Sequence, residues 1–108
     1  RPGFMLARDA VGIATRARVP VSPGPWDDCF GDLAPAPALT WPGVLRVELE
    51  STCQYWVVFT ERTHALCVEP QSAPPDSLNH DPFVVEPGHP LVAECRLRWG
   101  PAEATVSS

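Results

Sequence analysis

The sequence has no lysine. All eight of its cations are arginines, set against thirteen carboxylates, for a net charge of −5. The arginines occur singly or in pairs, so no basic stripe exists to neutralise a phosphate backbone, and nucleic-acid binding is not expected. No apolar run approaches the roughly 20 residues that a membrane helix needs, and no charged-then-apolar leader opens the chain, so no membrane partner is expected. No two cysteines stand in the C-x-x-C spacing of a zinc site, and no glycine-rich phosphate loop is present. Neither a metal nor a cofactor is implied. No window keeps the i, i+3, i+4, i+7 apolar stripe of an amphipathic helix. The first residue is Arg1 with no initiator methionine, which leads to the expectation of a processed chain or a fragment.

What is present fits a globular fold. The 108 residues are 44% hydrophobic and 19% charged, a composition for one domain or part of one. A compact chain of this length buries roughly 65% of its unfolded surface. Fourteen prolines gather between the apolar runs, where their missing amide proton punctuates helix and sheet ladders. Four cysteines stand at Cys29, Cys53, Cys67 and Cys95. An even count would allow two disulfides. Cys67 and Cys95 lie in apolar, strand-like runs, however, where a free thiol behaves as a small hydrophobe. Free thiols and no leader predict a cytoplasmic protein.

The strongest period is two. From Leu91 to Trp99, residues Leu91, Ala93, Cys95, Leu97 and Trp99 alternate with Val92, Glu94, Arg96 and Arg98, the pattern of a half-buried strand. From Val44 to Glu50, Leu45, Val47 and Leu49 oppose Arg46, Glu48 and Glu50. Tyr55 to Thr60 is apolar almost throughout, as in a strand covered on both faces. A polar turn then leads to a strand from Ala65 to Glu69, forming a hairpin. Phe83 to Glu86 is expected to pair with the last strand, and Thr15 to Val21 to form an edge strand limited by Pro20. The fold class is therefore antiparallel all-β, a sandwich or barrel.

Two clusters could carry chemistry. Pro25 to Asp32 crowds Asp27, Asp28 and Asp32 beside Trp26 and Phe30. Aspartates favour turns because they hydrogen-bond nearby amides, so the plain reading is a turn. The functional reading is a carboxylate that accepts hydrogen bonds from hydroxyls beside an aromatic wall. In the second cluster, Cys67 to Asp76, a strand ending at Glu69 would set that carboxylate beside core-like residues. Loss of hydration there would make it a better proton acceptor, and Pro70 would end the ladder. The plain alternative is a strand-end glutamate in water. His64, His80 and His89 fall in turns, without the spacing of a metal site or a Ser-His-Asp relay.

At these clusters the chain resembles the aldose 1-epimerases, or galactose mutarotases. Cys67-Val68-Glu69-Pro70-Gln71-Ser72-Ala73-Pro74-Pro75-Asp76-Ser77-Leu78-Asn79 is similar to the family's signature around its catalytic glutamate. Trp26-Asp27-Asp28-Cys29-Phe30 is similar to a shorter element whose first aspartate binds sugar hydroxyls. The resemblance implies that residues 1–108 form the C-terminal part of a single antiparallel β-supersandwich domain. It implies Glu69 as catalytic base, Asp27 as substrate-binding residue and a monosaccharide such as galactose or glucose as substrate. In such an isomerase the glutamate takes the proton of the anomeric hydroxyl while a histidine protonates the ring oxygen; rotation and reclosure give the other anomer. None of the three histidines matches that acid, so this chain alone is expected to be inactive, and either to self-associate or to need an N-terminal segment. A hexose-phosphate mutarotase of the same superfamily and a non-catalytic β-sandwich carbohydrate-binding module are the alternatives.

Overall fold

The computed structural model describes residues 2–103. Eight strands and one 3-10 turn follow in order: β1 (Phe4–Arg8), β2 (Ala14–Val19), β3 (Asp27–Gly31), β4 (Ala38–Trp41), β5 (Leu45–Ser51), β6 (Tyr55–Phe59), β7 (Cys67–Gln71), the turn Ser77–Asn79, and β8 (Cys95–Gly100). They form a five-stranded sheet, β2-β1-β3-β6-β7, and a three-stranded sheet, β4-β5-β8. Every pairing is antiparallel. The chain is thus all-β with antiparallel sheets. Among the described residues no helix is long and apolar enough to cross a membrane.

The larger sheet is built around β3, which has β1 on one side and β6 on the other. Alternation along β3 sends Asp27, Cys29 and Gly31 to one face and Asp28 and Phe30 to the other. On the first face Leu6, Ala14 and Cys29 form a buried cluster with Phe4, Tyr55 and Val57 packed against it. On the second face Met5, Phe30 and Trp56 are buried, Phe30 to 1% exposure. Trp26 meets Phe30 edge-on, with ring centroids 5.4 Å apart and planes at 79°, a favoured aromatic geometry. Asp28 is also buried, and the Arg8 guanidinium answers its charge through an Nε to Oδ1 contact of 3.2 Å.

The smaller sheet is amphipathic. Its ladder pairs Leu39 with Val47, Trp41 with Leu45, Val47 with Trp99 and Leu49 with Leu97, all on one face. Thr40, Arg46, Glu48, Glu50, Arg96 and Arg98 occupy the other. The turn between β6 and β7 lies against the β4 side of the apolar face, where Arg62 to Leu66 and the side chains of Leu39 and Trp41 line one cavity. On the β8 side Leu97 and Trp99 remain open, 53% and 74% exposed.

Several expectations change. The Pro25–Asp32 segment contains a strand rather than a turn, because pairing to β1 and β6 satisfies its backbone where turn chemistry would otherwise do so. Strands β1 and β4 also lie outside the periodic runs. The last strand starts at Cys95 rather than Leu91, and Phe83 to Glu86 does not pair with it; that stretch has only the isolated Glu86–His89 bridge. Cys67 and Cys95 are exposed, not core residues, although all four cysteines are free thiols as expected. The expected edge strand after Thr15 and the hairpin that follows Tyr55 are both found, as β2 and as β6–β7.

Gly31 is the tightest point of the larger sheet. A Cβ there would fall within the Phe4 ring, and the Arg18 guanidinium stacks on that ring 4.2 Å from its centroid. Phe4 therefore has little freedom to withdraw. Gly31→Ala is expected to cost about 1–3 kcal/mol, the usual range for overpacking. Gly100→Ala, where an added Cβ meets nothing within 4 Å, should stay within about 0.5 kcal/mol of the parent. Urea midpoints for the two variants check this; equal midpoints would remove Gly31 as a packing constraint.

Candidate functional site

Asp27 opens β3 and Glu69 is the central residue of β7, with β6 between them. The ladder pairs Asp27 with Phe59 and Glu69 with Val57. Pairs directly opposite share a face, and so do residues two apart on a strand, so Asp27, Val57, Phe59 and Glu69 project from the same face. Two strand spacings and two residue rises separate the carboxylates by roughly 12 Å at their Cα positions. The sheet thus brings together two residues that are far apart in the chain, with an apolar strip from β6 between them.

Both carboxylates are exposed. The expected dehydration of Glu69 is not found, and the reason is topological: β7 is an outer strand, and its neighbour Cys67 is exposed as well. Pro70 does not end the ladder either, since it pairs with Trp56 and β7 runs on to Gln71. Hydrogen-bond phase explains this. Thr60 N–H donates to the Trp26 carbonyl, so even-numbered residues of β6 bond to β3 and odd-numbered ones to β7. Pro70 therefore directs its missing N–H to the open edge, where the ladder does not need it.

After Gln71 the chain crosses the sheet. Arg16 belongs to β2, the opposite outer strand, yet its Nη1 donates to the Pro75 carbonyl at 3.0 Å and its Nη2 to Ser77 Oγ at 3.4 Å. Ser77 Oγ in turn donates to the Pro74 carbonyl. Asp76 adopts a left-handed backbone (φ 64°). It accepts from Asn79 Nδ2 at 2.7 Å and meets His80 Nε2 at 3.4 Å. The segment from Cys67 to Asn79 is thus an outer strand plus a loop latched to the far side of the sheet. Arg16 had no part in the sequence reading; its only signal was the alternation of Thr15, Arg16, Ala17 and Arg18.

Cys29 lies in the buried cluster. Burial pushes its thiol up from 9.0 to about 11; Arg16 opposes that rise and Asp28 adds to it. The three histidines are all exposed. His64 lies with Leu39 and Trp41, His80 with Asp76, and His89 in the turn after Glu86. Among the described residues no group of three or more histidine, cysteine, aspartate or glutamate side chains could hold a metal ion. The face sets two exposed carboxylates beside an apolar strip, groups that can accept hydrogen bonds from hydroxyls. Compared with protein-family models, curated proteins and solved structures, the chain matches none.

The Cys29 thiol has a pH consequence. The folded state keeps its proton while the unfolded chain gives it up, so the stabilisation is complete below pH 9 and is lost as pH rises through about 11. Denaturant titrations between these limits should show falling stability, with a shallower fall in Cys29→Ala. In the native protein Cys67 and Cys95 should react with a thiol reagent well before Cys29. An unchanged pH profile in the variant would show that the dependence arises elsewhere.

Proposed function

We propose that the chain carries the base and one hydroxyl-binding group of an aldose 1-epimerase site, Glu69 removing the proton of the anomeric hydroxyl and Asp27 accepting from sugar hydroxyls. The observation that carries this reading is the shared face of Asp27 and Glu69 across β6. A pyranose laid over Val57 and Phe59 would set its apolar ring face on that strip and its hydroxyls toward the two carboxylates. The similarity of both segments to the family's motifs points the same way. Galactose or glucose is the substrate class, and the setting is cytoplasmic. The acid on the ring oxygen is a histidine that this chain does not contribute; a further N-terminal segment would have to bring it.

One observation favours a second reading. Both carboxylates are hydrated, and no histidine matches the required acid, which fits sugar binding without turnover. A phosphorylated hexose fits less well, because Arg16 is engaged by the loop and Arg18 by Phe4.

Anomer interconversion of galactose and glucose, followed by NMR, separates these readings. The 108-residue chain should leave the spontaneous rate unchanged. A longer polypeptide that supplies the histidine should accelerate it, and Glu69→Gln in that form should lower kcat by about 10²–10⁴-fold, the usual share of a positioned acid–base group. Asp27→Asn should act mainly on KM. Full activity in the Glu69→Gln form would reject the role given to Glu69. Sugar binding lost with Asp27, with no turnover in either length, would select the binding module.

A further inference from the structure

The four outer strands of the two sheets differ in how well they resist pairing with another chain. β2 is interrupted by a register shift opposite Leu6–Arg8 and is closed by Pro20. β7 presents Pro70, without an N–H, at its open edge. β4 has four residues between Pro37 and Pro42. β8 has six residues in unbroken register with β5, with no bulge and no proline inside. An unblocked edge of that kind is a template for strand addition.

The hydrogen-bond phase defines what β8 offers. Leu49 N–H donates to the Pro37 carbonyl and Thr52 N–H to the Glu94 carbonyl. Odd-numbered residues of β5 therefore bond to β4 and even-numbered ones to β8. It follows that Arg96, Arg98 and Gly100 bond inward, while Cys95, Leu97 and Trp99 direct their N–H and C=O groups to the open edge. An added antiparallel strand would exchange hydrogen bonds with those three residues. Arg96 and Arg98 would fall in non-hydrogen-bonded pairs, where opposing side chains come closest, at a Cα separation of about 4.5 Å.

The arginines choose the partner. Arg96 has only a long contact to Glu50, 3.9 Å, with both side chains largely exposed. Glu48, opposite Arg98, is taken by Arg46 at 3.2 Å. Among the described residues Arg98 has no ion-pair partner. A second copy adding its own β8 is disfavoured. In both antiparallel registers that keep this bonding phase and overlap more than three strand residues, an arginine faces an arginine, and like charges directly opposite destabilise a sheet. We infer that the β8 edge takes an extended segment of another polypeptide in which carboxylates opposite Arg96 and Arg98 alternate with apolar residues opposite Cys95, Leu97 and Trp99. The apolar residues would extend the open face on which Leu97 and Trp99 now stand exposed.

The test titrates the isotope-labelled 108-residue chain with a capped Val-Glu-Val-Glu-Val peptide and reads amide exchange residue by residue. The acidic peptide should slow exchange at Leu97 and Trp99 and leave Arg96 and Arg98 amides unchanged. The lysine-for-glutamate peptide should bind at least about tenfold more weakly at low salt, with the difference shrinking as salt rises. Methylating the valine amides of the peptide should abolish binding, whereas methylating its glutamate amides should be tolerated, a comparison that leaves the protein itself untouched. The double reversal Arg96→Glu, Arg98→Glu should invert the preference between the two peptides. Equal binding of both peptides, or binding that survives valine methylation, would overturn the proposal. So would protection of the odd-numbered amides that grows with protein concentration alone, because a second copy would then occupy the edge.

Discussion

The Arg8–Asp28 pair answers the charge buried in the middle strand of the larger sheet. β3 is its middle strand, so anything that destabilises β3 loosens the ladders to β1 and β6 together. Asp28 is only 8% exposed, and an ionised carboxylate held away from water is costly unless a cation and hydrogen bonds answer it. Arg8 supplies the cation at 3.2 Å, and the Asp27 N–H donates to the second carboxylate oxygen at 3.2 Å. The Arg8 side chain is 40% exposed, which limits the desolvation cost of the pair. With Asp28 anchored inward, alternation turns Asp27 to the opposite face. The same contact that anchors the strand therefore sets the candidate ligand-binding carboxylate in place, on the face it shares with Glu69 across β6.

The strands that were legible in the sequence were those whose side chains carry a one-dimensional pattern. β5 and β8 alternate in polarity because one face of the small sheet is apolar and the other is charged. β6 is apolar because Trp56 is buried on one face and Tyr55 and Val57 pack against the buried cluster on the other. β3 was not legible. Two aspartates and a glycine are poor strand formers on their own, and only tertiary pairing makes the segment a strand, since strand preference follows from neighbours more than from the residue itself. The reverse error occurred at Phe83–Glu86, where an apolar run has strand character and no ladder to join. Pro70 was read as a terminator because a sequence does not reveal which of its residues direct their N–H groups outward.

The candidate site was legible in its residues but not in its environment. Asp27 and Glu69 were both singled out, and the sheet brings them to one face. Their hydration was not foreseen, because burial depends on which strand lies at the edge, and that is a property of topology. Arg16 escaped notice for a related reason: it latches a loop that begins at the opposite side of the sheet, and no local spacing links the two.

The molecule as a whole is open. Its solvent-accessible surface is 7805 Å², against about 5,900 Å² for a compact protein of this mass. Its radius of gyration is 15.5 Å, against about 13 Å for a compact chain of this length. Residues 78–99 are exposed throughout, and they include Leu78, Phe83, Val84, Val85, Leu91, Val92, Leu97 and Trp99. This excess bears on chemistry as well as on stability. A carboxylate surrounded by water spends its hydrogen-bonding capacity on solvent rather than on a sugar hydroxyl. The same side chain gains basicity and selectivity once a covering layer removes that water. On the proposed reading, binding by Asp27 and Glu69 would need only their shared face. Proton transfer by Glu69 would need that geometry and also a cover over the same face. A form of the protein that binds sugar without turnover and a form that turns it over would therefore differ in that cover rather than in the two carboxylates.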